Sequence, residues 1–261
     1  MLEKIVFEIK DYSGIKRKKD IHSIITKLKD VYNFGLTACP LGDDAGVIKN
    51  GSEYLLLATE EINRNLLIQD PVWAGFCSVL ANVNDIYAMG GVPLAMVNTA
   101  SFKDFHQGEK VFYGIREACK KYKVPMIGGH FSPEDEVTTL SVSILGKAKK
   151  ILTTFNAQEG DEIIIALDLK GRQYKNFLHW DCITNKTSEE VLDKLSVLPF
   201  IAEHIPAHAV RDVSNAGIIG TVCLLLEASR KGGEIYLDNI PAPKEIDFVD
   251  WLRMYPSFGF I

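Results

Sequence analysis

The chain predicts a mixed α/β or α+β fold, and three local patterns carry that prediction. The Asn50-Gly51 dipeptide lies between two apolar runs, Val47-Ile48 and Tyr54–Ala58. Such a pair reads as a tight hairpin turn, because the favoured two-residue turns need positive φ at their central positions. Asp70-Pro71 opens a helix: the aspartate caps free N–H groups of the first turn, and proline has no N–H to leave unpaired. Leu140, Val142 and Ile144 alternate with Thr139, Ser141 and Ser143, the period of a half-buried strand. Strands and helices therefore interleave in the first part of the chain.

With 261 residues the chain suits two domains of roughly 100–150 residues each. Its 47% hydrophobic and 24% charged residues are those of an ordinary globular protein. A net charge of -5 argues against gripping nucleic acid across a broad face. The five cysteines are widely spaced and include no Cys-x-x-Cys pair, so they read as reduced thiols rather than a disulfide framework or zinc ribbon. Met-Leu-Glu-Lys-Ile at the start carries no leader pattern. The most apolar stretch, Val72 to Val97, is interrupted by Asn82, Asn84, Asp85 and Gly90-Gly91, so no membrane partner is expected. These features predict a cytoplasmic protein.

Residues 1–35 form an arm with the basic run Lys16-Arg17-Lys18-Lys19 and a short helical pattern from Ile21 to Leu28. The first domain spans residues 36–150 and opens with the hairpin. In the helix that follows Asp70, Val72, Phe76, Val79, Val83 and Ile86 recur at helical spacing, with Trp73, Leu80 and Tyr87 beside them. Its remaining face, Gly75, Ser78, Asn82 and Asp85, is expected to meet something other than hydrocarbon, and Gly90-Gly91 stops it. Pro93 to Ser101 reads as a strand, and Gln107 to Lys123 as an amphipathic helix with a Glu117–Lys121 pair. Val124 to Ile127 reads as a short strand ending at Gly128-Gly129-His130. The second domain, 151–261, holds a strand at 162–167 after Gly160-Asp161 and a capping box made by Thr187 and Glu190. A strand-like segment from Ala207 to Val213 follows, then a helix from Ile218 to about Lys231. The last residues, Phe258-Gly259-Phe260-Ile261, read as a strand in progress, so the second domain is expected to lack its final few dozen residues.

Three places can carry chemistry. Asp43-Asp44, between Gly42 and Ala45-Gly46, are adjacent carboxylates that repel unless a cation compensates them; the same pair also suits a solvated turn. Asn84-Asp85 sit on the polar stripe of an apolar helix, where the carboxylate either meets a cation or caps neighbouring backbone. Gly128-Gly129-His130 can bring backbone N–H groups close to a phosphate or can simply be a tight strand exit. Neither a Walker motif nor a dinucleotide fingerprint is present. His204 and His208 stand four apart, but Pro206 between them breaks the helix a metal pair would need.

Taken in order, these blocks resemble the aminoimidazole ribonucleotide (AIR) synthetase superfamily, which includes thiamine-monophosphate kinase and selenophosphate synthetase. The resemblance rests on Gly42-Asp43-Asp44-Ala45, Ala58-Thr59-Glu60-Glu61, Asp70-Pro71, Val83-Asn84-Asp85-Ile86-Tyr87-Ala88-Met89-Gly90-Gly91 and Gly128-Gly129-His130. It continues through Gly160-Asp161, Asp212-Val213-Ser214-Asn215-Ala216-Gly217 and Phe258-Gly259-Phe260. It implies an N-terminal domain contributing to a β-barrel across a homodimer, flanked by helices, and a C-terminal α/β domain. It also implies ATP and Mg²⁺ as cofactors, with Asp43, Asp44, Glu60, Asp85 and Asp212 as metal ligands. Asp44, Asn84, Asp85, Gly128, Gly129 and His130 would border the nucleotide or acceptor, and Asp43, Asp85 and His130 would serve catalysis. The family usually has aspartate after the threonine, where this chain has Glu60-Glu61, and His130 is similar to selenophosphate synthetase. The wording around Trp73-Ala74-Gly75 and Asn84-Asp85-Ile86 is similar to an uncharacterised AIR synthase-related branch. The expected activity is ATP- and Mg-dependent phosphoryl transfer to a small molecule; the alternative is a non-catalytic nucleotide-binding subunit.

Overall fold

The structure, a computed structural model, describes residues 2–16, 24–133 and 135–261. The chain divides into two compact units, Ala45–Ile151 with Lys186–Pro206, and Met1–Asp44 with Leu152–Asn185 and Ala207–Ile261. The mixed α/β class is as expected from the sequence.

The first unit is built on a five-stranded sheet of β1 (Gly46–Asn50), β2 (Glu53–Glu61), β3 (Val92–Ser101), β4 (Met126–Ser132) and β5 (Thr139–Ala148), in the order β1-β2-β5-β3-β4. The predicted hairpin is present: Asn50 pairs with Glu53, and Gly51 turns the chain at φ 60°. All neighbours are antiparallel except β3 and β4. Alternation puts Leu56, Leu140, Val142 and Ile144 on the buried face, while Ile48, Leu57, Val97 and Leu145 stay exposed on the other. Within this single chain the sheet is open, with β1 and β4 at its edges.

Helices α3 (Arg64–Gln69), α4 (Pro71–Ala88) and α5 (Phe105–Tyr122) belong to the same unit. Asp70 caps α4 by accepting from the Trp73 N–H at 3.1 Å, and Gly90 at φ 75° ends it, both as the sequence predicts. Ile86 of α4 reaches the sheet, since a Cβ at Gly146 of β5 would meet its side chain at 2.5 Å. The small-residue stripe behaves differently from expectation. A Cβ at Gly75 would lie 2.0 Å from the Val111 carbonyl oxygen, and one at Gly114 would lie 1.9 Å from that of Val72. Gly75 is therefore the seat of α5, not part of a ligand-facing stripe, because only glycine lets two helix backbones approach so closely. Ser78 and Asn82 donate back to the Gly75 and Ser78 carbonyls of their own helix, each at 2.8 Å.

Further differences have local causes. Glu117 pairs with Lys120 at 2.9 Å and Arg116 at 3.2 Å; Lys121 instead donates to the Lys186 carbonyl. Strand β4 does not end at the glycines but runs through them to Ser132, because pairing with β3 supplies ladder partners beyond Gly128. Helices α6 (Ser188–Leu195) and α7 (Val197–His204) complete the unit, and the Thr187–Glu190 capping box forms as predicted.

The second unit has little regular sheet. Its strands are β6 (Ala166–Leu167), β7 (Arg172–Gln173), β8 (His179–Asp181), β9 (Tyr255–Pro256) and β10 (Gly259–Phe260). The strand expected at 162–167 shrinks to its last two residues, paired with β10, and the segment expected at 207–213 makes one bridge, Asp212 to Phe260. Helix α8 (Gly217–Ala228) stops three residues before Lys231. Gly217, at φ 74°, lies against the backbone of Arg253 at the end of α9 (Phe248–Arg253). At the N-terminus α1 (Leu2–Asp11) and α2 (Ser13–Lys16) are helical. Residues 17–19 of the basic run and 21–23 of the predicted helical pattern lie outside the described residues; Ile24–Leu28 is helical, its last turn a 3-10 helix. Among the described residues no helix is long and apolar enough to cross a membrane.

Gly114→Ala, whose Cβ meets backbone that cannot swing aside, is expected to cost roughly 2–4 kcal/mol. Gly128→Ala, which points into open space, is expected to stay within about 0.5 kcal/mol of wild type. Chemical denaturation of both variants checks the pair.

Candidate functional site

The acidic cluster of the second unit is assembled from three stretches of chain. Gly42, at φ 108°, turns the backbone just before Asp43 and Asp44. Both oxygens of Asp43 are engaged: Oδ2 accepts from the Thr154 backbone N–H at 3.0 Å and Oδ1 from the Thr154 hydroxyl at 2.5 Å. Cys39 lies 3.7 Å from Oδ2, and burial together with the Asp43 charge pushes its thiol up to about 12. Cys39 is therefore an inert thiol at neutral pH.

Asp44 is deeply set, its side chain 3% exposed. Its Oδ2 accepts from the Asp212 backbone N–H at 3.2 Å, and its Oδ1 faces the Arg211 guanidinium at 3.4 Å. Burial raises its pKa to about 8, helped by the negative charges of Asp212 and Asp43; Arg211 and the Asp212 N–H pull the other way without offsetting them. Asp212 is buried too. Its segment is held in register by the end of the chain: Arg211 and Ile261 exchange backbone hydrogen bonds at 2.9 Å in both directions, and Val213 donates to Gly259 at 2.8 Å. The Phe258-Gly259-Phe260 block thus acts on the site by aligning Asp212.

The donor set fits a hard divalent cation. Carboxylate oxygens are the ligands Mg²⁺ prefers, and removing their charges from water leaves a deficit that a cation cancels. Among the described residues no group of three or more His, Cys, Asp and Glu side chains is arranged to hold a metal by itself.

The first unit carries the remaining predicted residues. Asn84 and Asp85 are buried on α4 at 3% and 6% exposure. Strand alternation separates the two glutamates: Glu60 lies on the face of Leu56 and Ala58, toward the helices, and Glu61 on the exposed face with Leu57 and Thr59. Thr59 itself is occupied by the sheet, donating to the Val142 carbonyl and accepting from Ser143. Gly129 is glycine because a Cβ there would strike Asn98 at 2.3 Å, whereas Gly128 has nothing within 4 Å. His130 is exposed beside Thr99, with Nε2 3.3 Å from the Ser132 hydroxyl.

The structure therefore brings Asp43, Asp44 and Asp212 together in one unit, while Glu60, Asn84, Asp85, Gly128, Gly129 and His130 belong to the other. Sequence reasoning missed Thr154 and Arg211. The first lies 111 residues from Asp43, and the Asp212 N–H lies 168 residues from Asp44, so no local pattern connects them. The one available signal for Arg211 was a cation placed directly before a predicted acidic ligand.

Comparison with known proteins places this geometry in context. The model of the AIR synthase related protein N-terminal domain matches residues 42–148, and that of its C-terminal domain matches 158–260. An uncharacterised protein of Methanocaldococcus jannaschii is 44% identical over all of this chain and 82% of its own length. One of Synechocystis sp. is 38% identical over all of this chain and 81% of its own. The selenide, water dikinase of Clostridioides difficile is 26% identical over 79% of this chain and 61% of its own length. Among solved structures, AaThiL complexed with AMPPCP and TMP superposes with a TM-score of 0.72, covering 94% of this chain and 85% of that one, at 18% identity. That likeness shows a shared fold.

The pKa of Asp44 sets the sign of a pH effect. A folded pKa near 8 against an unfolded value near 3.8 means the folded state binds more protons between those limits, so this group's contribution is present in acid and lost as pH rises toward 8. Asp44→Asn is expected to leave thermal stability near wild type at pH 3.5, below the unfolded value. In metal-free buffer it should gain on wild type as pH rises and be clearly more stable, by several degrees, at pH 8.5. A variant less stable than wild type at both pH values would show that the carboxylate is a net stabiliser.

Proposed function

Because the chain belongs to the AIR synthase-related family, we propose that it binds Mg-ATP and transfers the terminal phosphoryl group to a small-molecule acceptor. Relatives in this family are ATP-using kinases, and AaThiL was solved with AMPPCP, an analogue of ATP. The observation that carries the reading is the cluster of half-buried Asp43 with the deeply set Asp44 and Asp212, whose gathered negative charge calls for a compensating cation.

In this reading Asp44 and Asp212 present oxygens to Mg²⁺, and Asp43, clamped by Thr154, fixes the loop that aims Asp44. Asp85 and Glu60 are further proposed metal ligands, with Glu60 preferred over Glu61 because it shares the helix side of the sheet with Ala58. Asn84 and the open-sided Gly128 border the nucleotide, with Gly129 holding the strand close to Asn98. His130, exposed and able to donate or accept a proton, serves at the acceptor side. When bound, Mg²⁺ supplies the charge neutralisation that phosphoryl transfer needs. The five free cysteines suit work in the reducing cytoplasm.

We also infer a homodimer in which the exposed sheet faces of two copies meet and complete a barrel. The apolar side chains Ile48, Leu57, Val97 and Leu145 on that face support it, since exposed apolar surface of this kind marks an interaction site.

Calorimetric titration with ATP is expected to show binding that requires Mg²⁺ and is reduced at least tenfold in Asp212→Asn and Asp85→Asn, with ADP release abolished; ATP binding indifferent to Mg²⁺ would count against the carboxylate site. Light scattering at micromolar concentration is expected to give twice the 29.1 kDa chain mass. Leu57→Glu with Val97→Glu should shift it to the monomer, and a monomeric wild type would dispose of the barrel.

A further inference from the structure

Arg211 is a cation inside the acidic cluster to which the phosphoryl-transfer reading assigns no part. Its side chain is 12% exposed and faces a carboxylate that is 3% exposed. The contact, Nη2 to Asp44 Oδ1 at 3.4 Å, is longer than the 2.7–2.9 Å of a well-made charge-assisted hydrogen bond. The other oxygen, Oδ2, is fixed by the Asp212 N–H, and both oxygens of Asp43 are taken by Thr154. Oδ1 of Asp44 is thus the oxygen a divalent cation would claim, and it is the one Arg211 faces. The main chain of Arg211 is locked in both directions to Ile261, so its Cα stays in place and any exchange of partners is made by the long side chain alone.

We propose that Arg211 is an exchangeable counter-ion, which shields Asp44 before ligand binding, yields Oδ1 to a divalent cation and turns its guanidinium onto the phosphate that arrives with that cation. The proposal rests on the Mg-ATP reading of this same cluster. Three carboxylates exceed one guanidinium, which leaves room for a divalent ion; once that ion has taken Oδ1, the guanidinium has lost its place on Asp44 and a phosphate oxygen is its natural partner. Arginine suits the second position better than lysine, because its planar fork meets phosphate oxygens through two N–H groups at once. A permanent structural counter-ion would behave differently, since its loss would weaken metal and nucleotide alike by disordering the loop.

The test is titration of the full chain with Mn²⁺ alone, followed by AMPPCP at saturating Mn²⁺, in wild type, Arg211→Gln and Arg211→Lys. Arg211→Gln is expected to bind Mn²⁺ alone about threefold or more tighter, because a competing cation is gone. It should bind AMPPCP about tenfold or more weaker, the scale of a lost hydrogen bond to a charged group. Arg211→Lys should keep wild-type Mn²⁺ affinity and weaken AMPPCP less. Unchanged or weaker Mn²⁺ binding in Arg211→Gln, or undiminished AMPPCP binding, overturns the proposal. If Arg211→Gln does not fold, Arg211→Lys decides: weaker AMPPCP at unchanged Mn²⁺ affinity upholds the exchange, and unchanged AMPPCP affinity overturns it. Wild type that takes Mn²⁺ but no nucleotide would defeat the phosphoryl-transfer reading and the phosphate half of the proposal, while tighter Mn²⁺ binding in Arg211→Gln would still uphold the counter-ion half.

Discussion

Keeping carboxylates out of water is the constraint around which the second unit is organised. Asp44 has lost nearly all of its solvent and sits beside two more acids, an arrangement that costs several kcal/mol unless donors and cations replace the water. The replacements come from distant stretches: the Thr154 N–H and hydroxyl, the Asp212 N–H and the Arg211 guanidinium. Holding those donors in place requires the turn at 154–155, the bridge between Asp212 and Phe260, and the backbone pairing of Arg211 with Ile261. Short strands and irregular backbone suffice here because the unit's task is to aim a few donors rather than to build an extended sheet.

The first unit solves a different problem, namely how to hold a polar stretch of helix rigidly within an apolar interior. The α4–α5 contact through Gly75 and Gly114 draws two backbones together, and dispersion contacts along that seam fix the rotation of α4. With the rotation fixed, Ile86 lies on the sheet and the adjacent Asp85 is buried beside it. Ser78 and Asn82 satisfy their donors on the helix's own carbonyls, so this stripe costs less than its polarity suggests. A helix that cannot roll holds its polar side chains preorganised.

Glycine serves three separate purposes in this chain. At Gly75 and Gly114 it permits close helix approach, at Gly129 it makes space for Asn98 on the neighbouring strand, and at Gly42, before Asp43, and Gly217, at the start of α8, it supplies positive φ. A row of glycines in sequence does not distinguish among these uses, so Gly75 reads as part of a face turned from hydrocarbon and Gly128-Gly129 as the end of a strand.

Much was nonetheless legible in the residues alone. The Asn50-Gly51 hairpin, the Asp70-Pro71 helix start, the Thr187–Glu190 capping box and the alternation of β5 were all readable, because each depends on neighbours within about four residues. Family membership was readable as well, through the order of short blocks from Gly42-Asp43-Asp44 to Phe258-Gly259-Phe260. Tertiary structure alone decided that Thr154 clamps Asp43 and that Arg211 and the Asp212 N–H share Asp44. It also decided which of Glu60 and Glu61, alternating along β2, faces the helices, because the helix-covered side of the sheet is set by packing. The contacts of Asp43 and Asp44 join residues more than a hundred positions apart, where no period or cap can signal a partner. The need to satisfy buried charge determines that such donors must exist; only the folded chain determines which residues supply them.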